Sequence, residues 1–335
     1  MTYITRYILC FLITSLLFTS IGCKQDAQTK KSEPQPVVKV QIPAFNQDSA
    51  YAYVKKQVDF GPRVPGTETH ETCKDWFVER FENMGADVIV QPFDARIYTG
   101  DVWQSYNIIA QFNPEIEKRV IIAAHWDSRM IAEEDRNVKR INDPILGADD
   151  GASGVGVLME IGRVIQENPI NLGVDVILFD AEDQGKRGPK EPINNWCLGA
   201  QHWSKNKHKK GYKAKFGILL DMVGSKNPRF GKDQVSKEYA GLVQEKVWTL
   251  AQNMGYSDMF VNQYTGALTD DHYFVNVIAG IPMIDIINQP KNSETGFANH
   301  WHTHGDDMSI INKRTLRVVG QVVTAALYKE SGNQF

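Results

Sequence analysis

Apolar residues recur along the chain with two different periods, and the alternation between them predicts the fold. Val155, Leu158, Met159 and Ile165, with small Gly162 on the same side, repeat at helical spacing, so a helix with one buried face follows Ala148–Gly154. An earlier helix, which Asp48 can cap, runs to about Val58 and is broken by Gly61–Pro62–Arg63–Val64–Pro65–Gly66. A second covers roughly Glu68–Met84, with Trp76, Phe77, Phe81 and Met84 on one side and Gly85 as its stop. Further helices begin within Trp196–Trp203, at Tyr239–Met254 and at Arg314–Tyr328. Between them lie strand-like runs. Asp87–Phe93 and Tyr106–Phe112 come first; Arg119–Ala124 is nearly all apolar, which suits a central strand. Leu172–Phe179, Phe216–Leu220 and Gly280–Ile287 follow, the last with Asp285 inside an apolar run. This order predicts one α/β domain: an α/β/α sandwich around a central mixed, mostly parallel twisted sheet.

The N-terminus reads differently. Arg6 precedes the apolar run Tyr7–Ile21, too short for a membrane span and suited to a signal peptide. The run ends in Ser20–Ile21–Gly22–Cys23, which resembles a bacterial lipobox with Ser20 where Leu is usual. Residues 1–22 are therefore expected to be a lipoprotein-type signal, with export to the periplasm and a lipid anchor on Cys23; a plain cleaved signal is the alternative. Residues 23–45, polar and holding Pro34 and Pro36, are expected to form a flexible tether, and 46–335 the catalytic domain. Cys73 and Cys197 are the remaining cysteines and are expected to be buried thiols, although pairing is open. A net charge of -3 on 335 residues carries no basic excess that points to nucleic acid.

Chemistry collects where strands end. His125–Trp126–Asp127 follows the third strand, Asp180–Ala181–Glu182–Asp183 the fourth, and Asp221 the fifth, the places where open α/β sheets bind ligands. Asp149 and Asp150 stand on a small-residue loop that opens a helix, where either capping or metal binding is served. Asp270–Asp271–His272 and Phe297–His304 add acids and imidazoles; by spacing, any of His300, His302 and His304 can be a ligand. The density of like charge at Asp180–Asp183 repels itself unless a cation offsets it. Histidine and carboxylates without cysteine suit zinc in an open catalytic site.

The motifs His125-Trp126-Asp127, Gly147–Gly154, Asp180-Ala181-Glu182-Asp183, Leu220-Asp221 and Trp301-His302-Thr303 resemble the zinc aminopeptidase-like fold, and within it the glutaminyl-peptide cyclotransferases. The resemblance runs from about Asp48 to the C-terminus. It implies one zinc per chain, held by Asp150, Asp183 and His302. It places the catalytic acid–base at Glu182, a hydrogen-bonded acid relay at Asp221 and Asp270, and an aromatic substrate wall at Trp301, Phe297 and Trp196. His125, Asp127 and Asp285 would stand behind these and orient them. Animal cyclases carry Glu where this chain has Asp183, a shorter arm to be met by backbone movement, and a histidine where it has Asp285. Asp149 is expected to cap the helix, and His300 and His304 to be exposed.

The implied activity is closure of an N-terminal glutamine of a peptide or protein to pyroglutamate, with release of ammonia. Two rivals remain at this point. A two-zinc aminopeptidase would place His125 and Asp221 on a second metal bridged by Asp150. A lipid-anchored binding module on the same fold would need no chemistry, yet Glu182 and every ligand are present. Trp301 before His302, the Asp270–His272 run and Arg129 fit the cyclase pattern better.

Overall fold

The computed structural model describes residues 40–335 apart from 189; the signal and anchor expected at 1–23, and most of the tether, lie outside the described residues. The packed unit begins at Val40, so the end of the expected tether belongs to the domain. Phe45 is buried, and its N–H donates to Gln321 Oε1 at 3.0 Å.

Six strands form the main sheet in the order β1 (Asp87–Arg96), β2 (Val102–Phe112), β4 (Gly173–Phe179), β3 (Arg119–His125), β5 (Gly217–Asp221) and β8 (Met283–Ile287). β1, β2 and β4 pair antiparallel, whereas β4, β3, β5 and β8 run parallel. The sheet is thus mixed, with four parallel strands on one side, and β3 is central and buried throughout. The periodic reading missed the short pair β6 (Phe230–Lys232) and β7 (Phe260–Tyr264), the first turns of α5 (Gln234–Asn253), which Asp233 caps, and the short helix α6 (Asp271–Phe274) with the helical turn Val275–Ala279 behind it.

Alternation along the parallel strands sorts side chains onto two faces. Ile122, Ala124, Val176, Leu178, Ile218, Leu220, Ile284 and Ile286 pack under α1 (Gln47–Phe60), α2 (Glu68–Asn83), α3 (Ala152–Glu167), α5 and α7 (Lys313–Ser331). Ile121, Ala123, Ile177, Phe179, Leu219 and Met283 face α4 (Leu198–Lys205) and the turns around Phe274 and Val275. Asn46, not Asp48, caps α1, accepting the N–H groups of Asp48 and Ser49. Asp48 is already the second residue of the helix, two positions past the place where a side chain can cap it.

The path of the chain makes the site. It leaves β3 through α3 to β4 on one side, then crosses through α4 to β5 on the other. The carboxyl end of β3 is therefore a switch point, where the loops part and leave a crevice. α3 approaches this end closely. A Cβ on Gly151 would run into the carbonyl oxygen of His125, and one on Gly154 into that of Leu220. The small residues of the Asp149–Asp150 loop thus let the helix start against the strand ends.

Candidate active site

A cavity of about 320 Å³ opens at the switch point, lined by Asp150, Glu182, Asp183, Asp221 and Asp270 and walled by Trp196, Phe297 and Trp301. β3, β4 and β5 bring His125, Glu182 and Asp221; the loop before α3 brings Asp150; two late loops bring Asp270 and His302.

Asp150, Asp183 and His302 each offer one ligand atom, all within 4.8 Å of one another. His302 Nε2 is 2.8 Å from Asp183 Oδ1 and 3.9 Å from Asp150 Oδ2. The short arm of Asp183 therefore reaches the histidine. Asp150 Oδ2 and Asp183 Oδ2 are buried without any hydrogen-bond partner. Buried carboxylate oxygens are not left bare without a compensating charge, so these atoms fit a divalent cation between them and the imidazole. Burial and the nearby Asp150 push the Asp183 carboxyl up to about 6 despite His302. Burial works against a charged His302, but Asp183 and Glu133 hold its ring up to about 9. A cation would replace both protons.

A second group, His125, Asp150 and Asp221, is as compact. Here the donor atoms are spent on each other: His125 Nε2 lies 2.9 Å from Asp150 Oδ1 and 3.3 Å from Asp221 Oδ1. Asp127 Oδ1 stands 3.5 Å from His125 Nδ1, a weak contact. Its shorter bonds go elsewhere, accepting the N–H groups of Glu182 at 3.0 Å and Asp183 at 3.2 Å and Gln184 Nε2 at 2.9 Å. Asp127 thus acts on the turn that carries Glu182 and Asp183 more than on the imidazole.

Glu182 Oε1 accepts the Cys197 thiol at 3.2 Å. Burial, with Asp183, Asp270 and Asp271, pushes the Glu182 carboxyl well above its ordinary range against the pull of His125. Asp221 is also pushed well up, by burial and by Asp150 and Asp270. Asp285 lies within 4.8 Å of Asp270 and His272, buried with both oxygens unpartnered, and burial with Asp270 raises it well above the usual carboxylate range. Burial among like charges thus favours the protonated forms of Glu182, Asp221 and Asp285.

Three expectations change. Asp149 does not cap α3, whose first residue follows Gly151 with no side-chain cap. Its carboxylate instead accepts Gly224 N–H at 2.6 Å and Ser225 N–H at 3.1 Å, tying the loop to the end of β5. His300 is not a free surface ring: Nε2 meets Asp149 Oδ2 at 2.9 Å, and only 13% of its side chain is exposed. His304 is half-buried on Asp135 and Arg140. The sequence reading also missed Asp306, whose carboxylate accepts the N–H groups of Asp149 at 2.7 Å and Asp150 at 3.1 Å. Glu133 was missed too. It sits in the aperiodic 130–146 segment, which reads as surface loop, yet Oε1 is 2.9 Å from His302 Nδ1. Nothing local in the sequence marks Glu133; the pairing joins residues 169 apart. An acid pair at Asp306–Asp307, so close behind His302, was the available signal for Asp306.

The pocket wall is built from contacts between rings and cations. Phe297 and Trp301 lie 4.7 Å apart, Trp301 stacks on His302 at 3.6 Å, and Arg187 covers Trp301 at 4.9 Å. Trp196 stands under Arg129 at 4.9 Å and stacks toward His302 at 6.1 Å. The wall is aromatic with the cationic Arg187 and Lys186 at it, and the floor is acidic.

The sequence profile described as Peptidase family M28 matches residues 107–327, the stretch that carries every site motif. The chain belongs to peptidase family M28. Among solved M28-like structures, a glutaminyl cyclase from Bacteroides thetaiotaomicron bound to N-acetylhistamine is 46% identical, with a TM-score of 0.84 over 86% of this chain and 99% of that one. A Zn-dependent exopeptidase from Parabacteroides distasonis matches with the same identity, TM-score and coverage. A glutaminyl-peptide cyclotransferase from Drosophila melanogaster is 26% identical over 286 residues, 76% of this chain and 73% of the fly protein. The mixed α/β fold with its parallel catalytic end is the fold shared by these relatives.

Proposed function

We infer that the chain is a zinc-dependent glutaminyl-peptide cyclotransferase, which closes the N-terminal glutamine of a peptide or protein to pyroglutamate and releases ammonia. The observation that carries the reading is the extended likeness to the Bacteroides cyclase, met by a site in which an acid–base, Glu182, borders both the metal triad and a small aromatic pocket.

Asp150, Asp183 and His302 would hold one zinc. When bound, zinc supplies a Lewis acid that polarises the γ-carboxamide carbonyl of the glutamine. Trp301, Phe297 and Trp196 enclose the side chain and exclude water, so amine and amide meet at short range and proximity lowers the barrier. Glu182 accepts a proton from the α-amine as the nitrogen bonds to the amide carbon. As that carbon releases its original nitrogen, Glu182 returns the proton, and ammonia leaves. An acid–base needs a pKa near the working pH, and the upward push on Glu182 serves that need. Asp221 and Asp270 line the same cavity and would accept the hydrogens of the amine and the departing nitrogen.

The compact His125–Asp150–Asp221 group keeps a two-zinc aminopeptidase as the second reading. One metal is favoured because both bare oxygens, Asp150 Oδ2 and Asp183 Oδ2, belong to members of the first triad. Incubating purified protein with glutaminyl and leucyl peptides separates the two. Ammonia from the former without free amino acid, at one zinc per chain, supports the cyclase; released leucine at two zincs refutes it. We place the enzyme in the periplasm, anchored by lipid on Cys23. Loss of lipid labelling in Cys23→Ala would support the anchor, and retained labelling would exclude it.

A further inference from the structure

Behind the proposed ligands lies a pair of residues that touches two of them at once. Arg129 Nε and Nη2 grip the Glu133 carboxylate at 3.1 and 2.6 Å. Arg129 Nη1 donates to the carbonyl oxygens of Asp183 at 2.6 Å and Gly185 at 2.7 Å. Glu133 Oε1 meets His302 Nδ1 at 2.9 Å, and the next N–H, of Glu134, donates to the His302 carbonyl at 3.3 Å. Arg129 is buried, while the Glu133 side chain keeps 28% exposure. His302 itself has φ 53°, in the left-handed region that few residues other than glycine occupy.

We propose that Arg129 and Glu133 form a positioning clamp for the metal site, deepening the reading of Asp150, Asp183 and His302 as zinc ligands and resting on it. The chemistry is specific. A carboxylate against Nδ1–H fixes the tautomer that presents a bare Nε2 to the cation, and it makes that nitrogen more basic. The guanidinium holds Glu133 in place and, through its other nitrogen, fixes the turn that presents Asp183. One side chain thus sets the spacing of two ligands that are 119 positions apart in the sequence. Two charged residues used only to hold the 130–146 segment would not need to reach His302, since Ala132 and Ile145 are already buried there.

The test is zinc affinity by chelator competition, together with the melting temperature of the zinc-depleted protein and the absorption spectrum of the cobalt form. Glu133→Ala is expected to weaken zinc binding by about 10–100-fold. Glu133→Gln, which still accepts Nδ1–H but lacks the charge, should weaken it less. The cobalt spectrum should shift in both, while melting of the zinc-depleted Glu133→Gln protein stays near wild type. Wild-type affinity and spectrum in both variants would overturn the clamp. Should Glu133→Ala fail to fold, unchanged affinity in Glu133→Gln overturns it alone. His302→Ala and Asp183→Ala serve as references: zinc retained by both would refute the ligand assignment itself, separately from the clamp.

Discussion

Replacing Glu182 by Gln isolates proton transfer from everything else the residue does. The turn that carries it hangs on backbone bonds: Glu182 N–H to Asp127 at 3.0 Å and Cys197 N–H to the Glu182 carbonyl at 2.9 Å. Neither bond involves the side chain. An amide oxygen can still accept the Cys197 thiol, so the local geometry should persist. What is lost is the capacity to take a proton from the amine and hand it to the departing nitrogen. Loss of a positioned acid–base costs about 10²–10⁴-fold in rate, or ~3–5 kcal/mol of transition-state stabilisation. kcat should fall by that factor with KM little changed, because the aromatic wall is untouched. Zinc content should stay at wild type, since Glu182 is outside the Asp150–Asp183–His302 group. Stability should move the other way. Burial and three neighbouring acids raise the Glu182 pKa in the fold, so its charged form burdens the folded state increasingly as pH rises above the ordinary value of 4.5. Removing the charge should raise the melting temperature of zinc-depleted protein at neutral pH. Ammonia release by Glu182→Gln at more than a tenth of the wild-type kcat would remove Glu182 from the mechanism. Loss of zinc in the variant would show that the carboxylate also serves as a ligand.

Asp183→Ala should lose zinc along with activity, read by metal content after dialysis; full retention of zinc would exclude it as a ligand. Zinc affinity should rise with pH up to about 9, because below that value the proton held on His302 must leave. The slope is about tenfold per unit for one proton, and below about 6 the proton on Asp183 should steepen it. A flat profile by chelator competition would contradict this. Asp306→Asn leaves one of the two loop N–H groups without its acceptor and should cost about 1–3 kcal/mol in denaturant unfolding, with weaker zinc binding. Burial pushes the Cys73 thiol up to about 12, so in native protein at pH 8 it should resist iodoacetamide and react only on unfolding.

The parts of this molecule legible in its sequence are those in which a single element carries its own signal. β3 and β4 are buried throughout and mostly apolar because both faces are covered, the internal exceptions Arg119 and Asp175 pairing with each other, and the acids or imidazole at or just after each strand end stand out against that background. His125, Glu182, Asp183 and Asp221 stand out in this way, Asp150 by its small-residue loop before a helix, and the family resemblance supplied the arrangement expected of them. The misreadings share another physical character. Asp149 looks like a helix cap because it precedes a helix, but the start of α3 is buried against β5, so the nearest bare N–H groups belong to Gly224 and Ser225. His300 looks exposed because it lies on a loop, yet its partner is that same Asp149. Glu133 carries no periodicity at all, since its position is fixed by Arg129 and His302 rather than by a helix or strand. Local pattern reports which face of an element meets the core; it does not report which distant loop will supply a partner for a buried charge. Each buried charge demands such a partner, so the unread residues collect around the very groups whose chemistry was easiest to see.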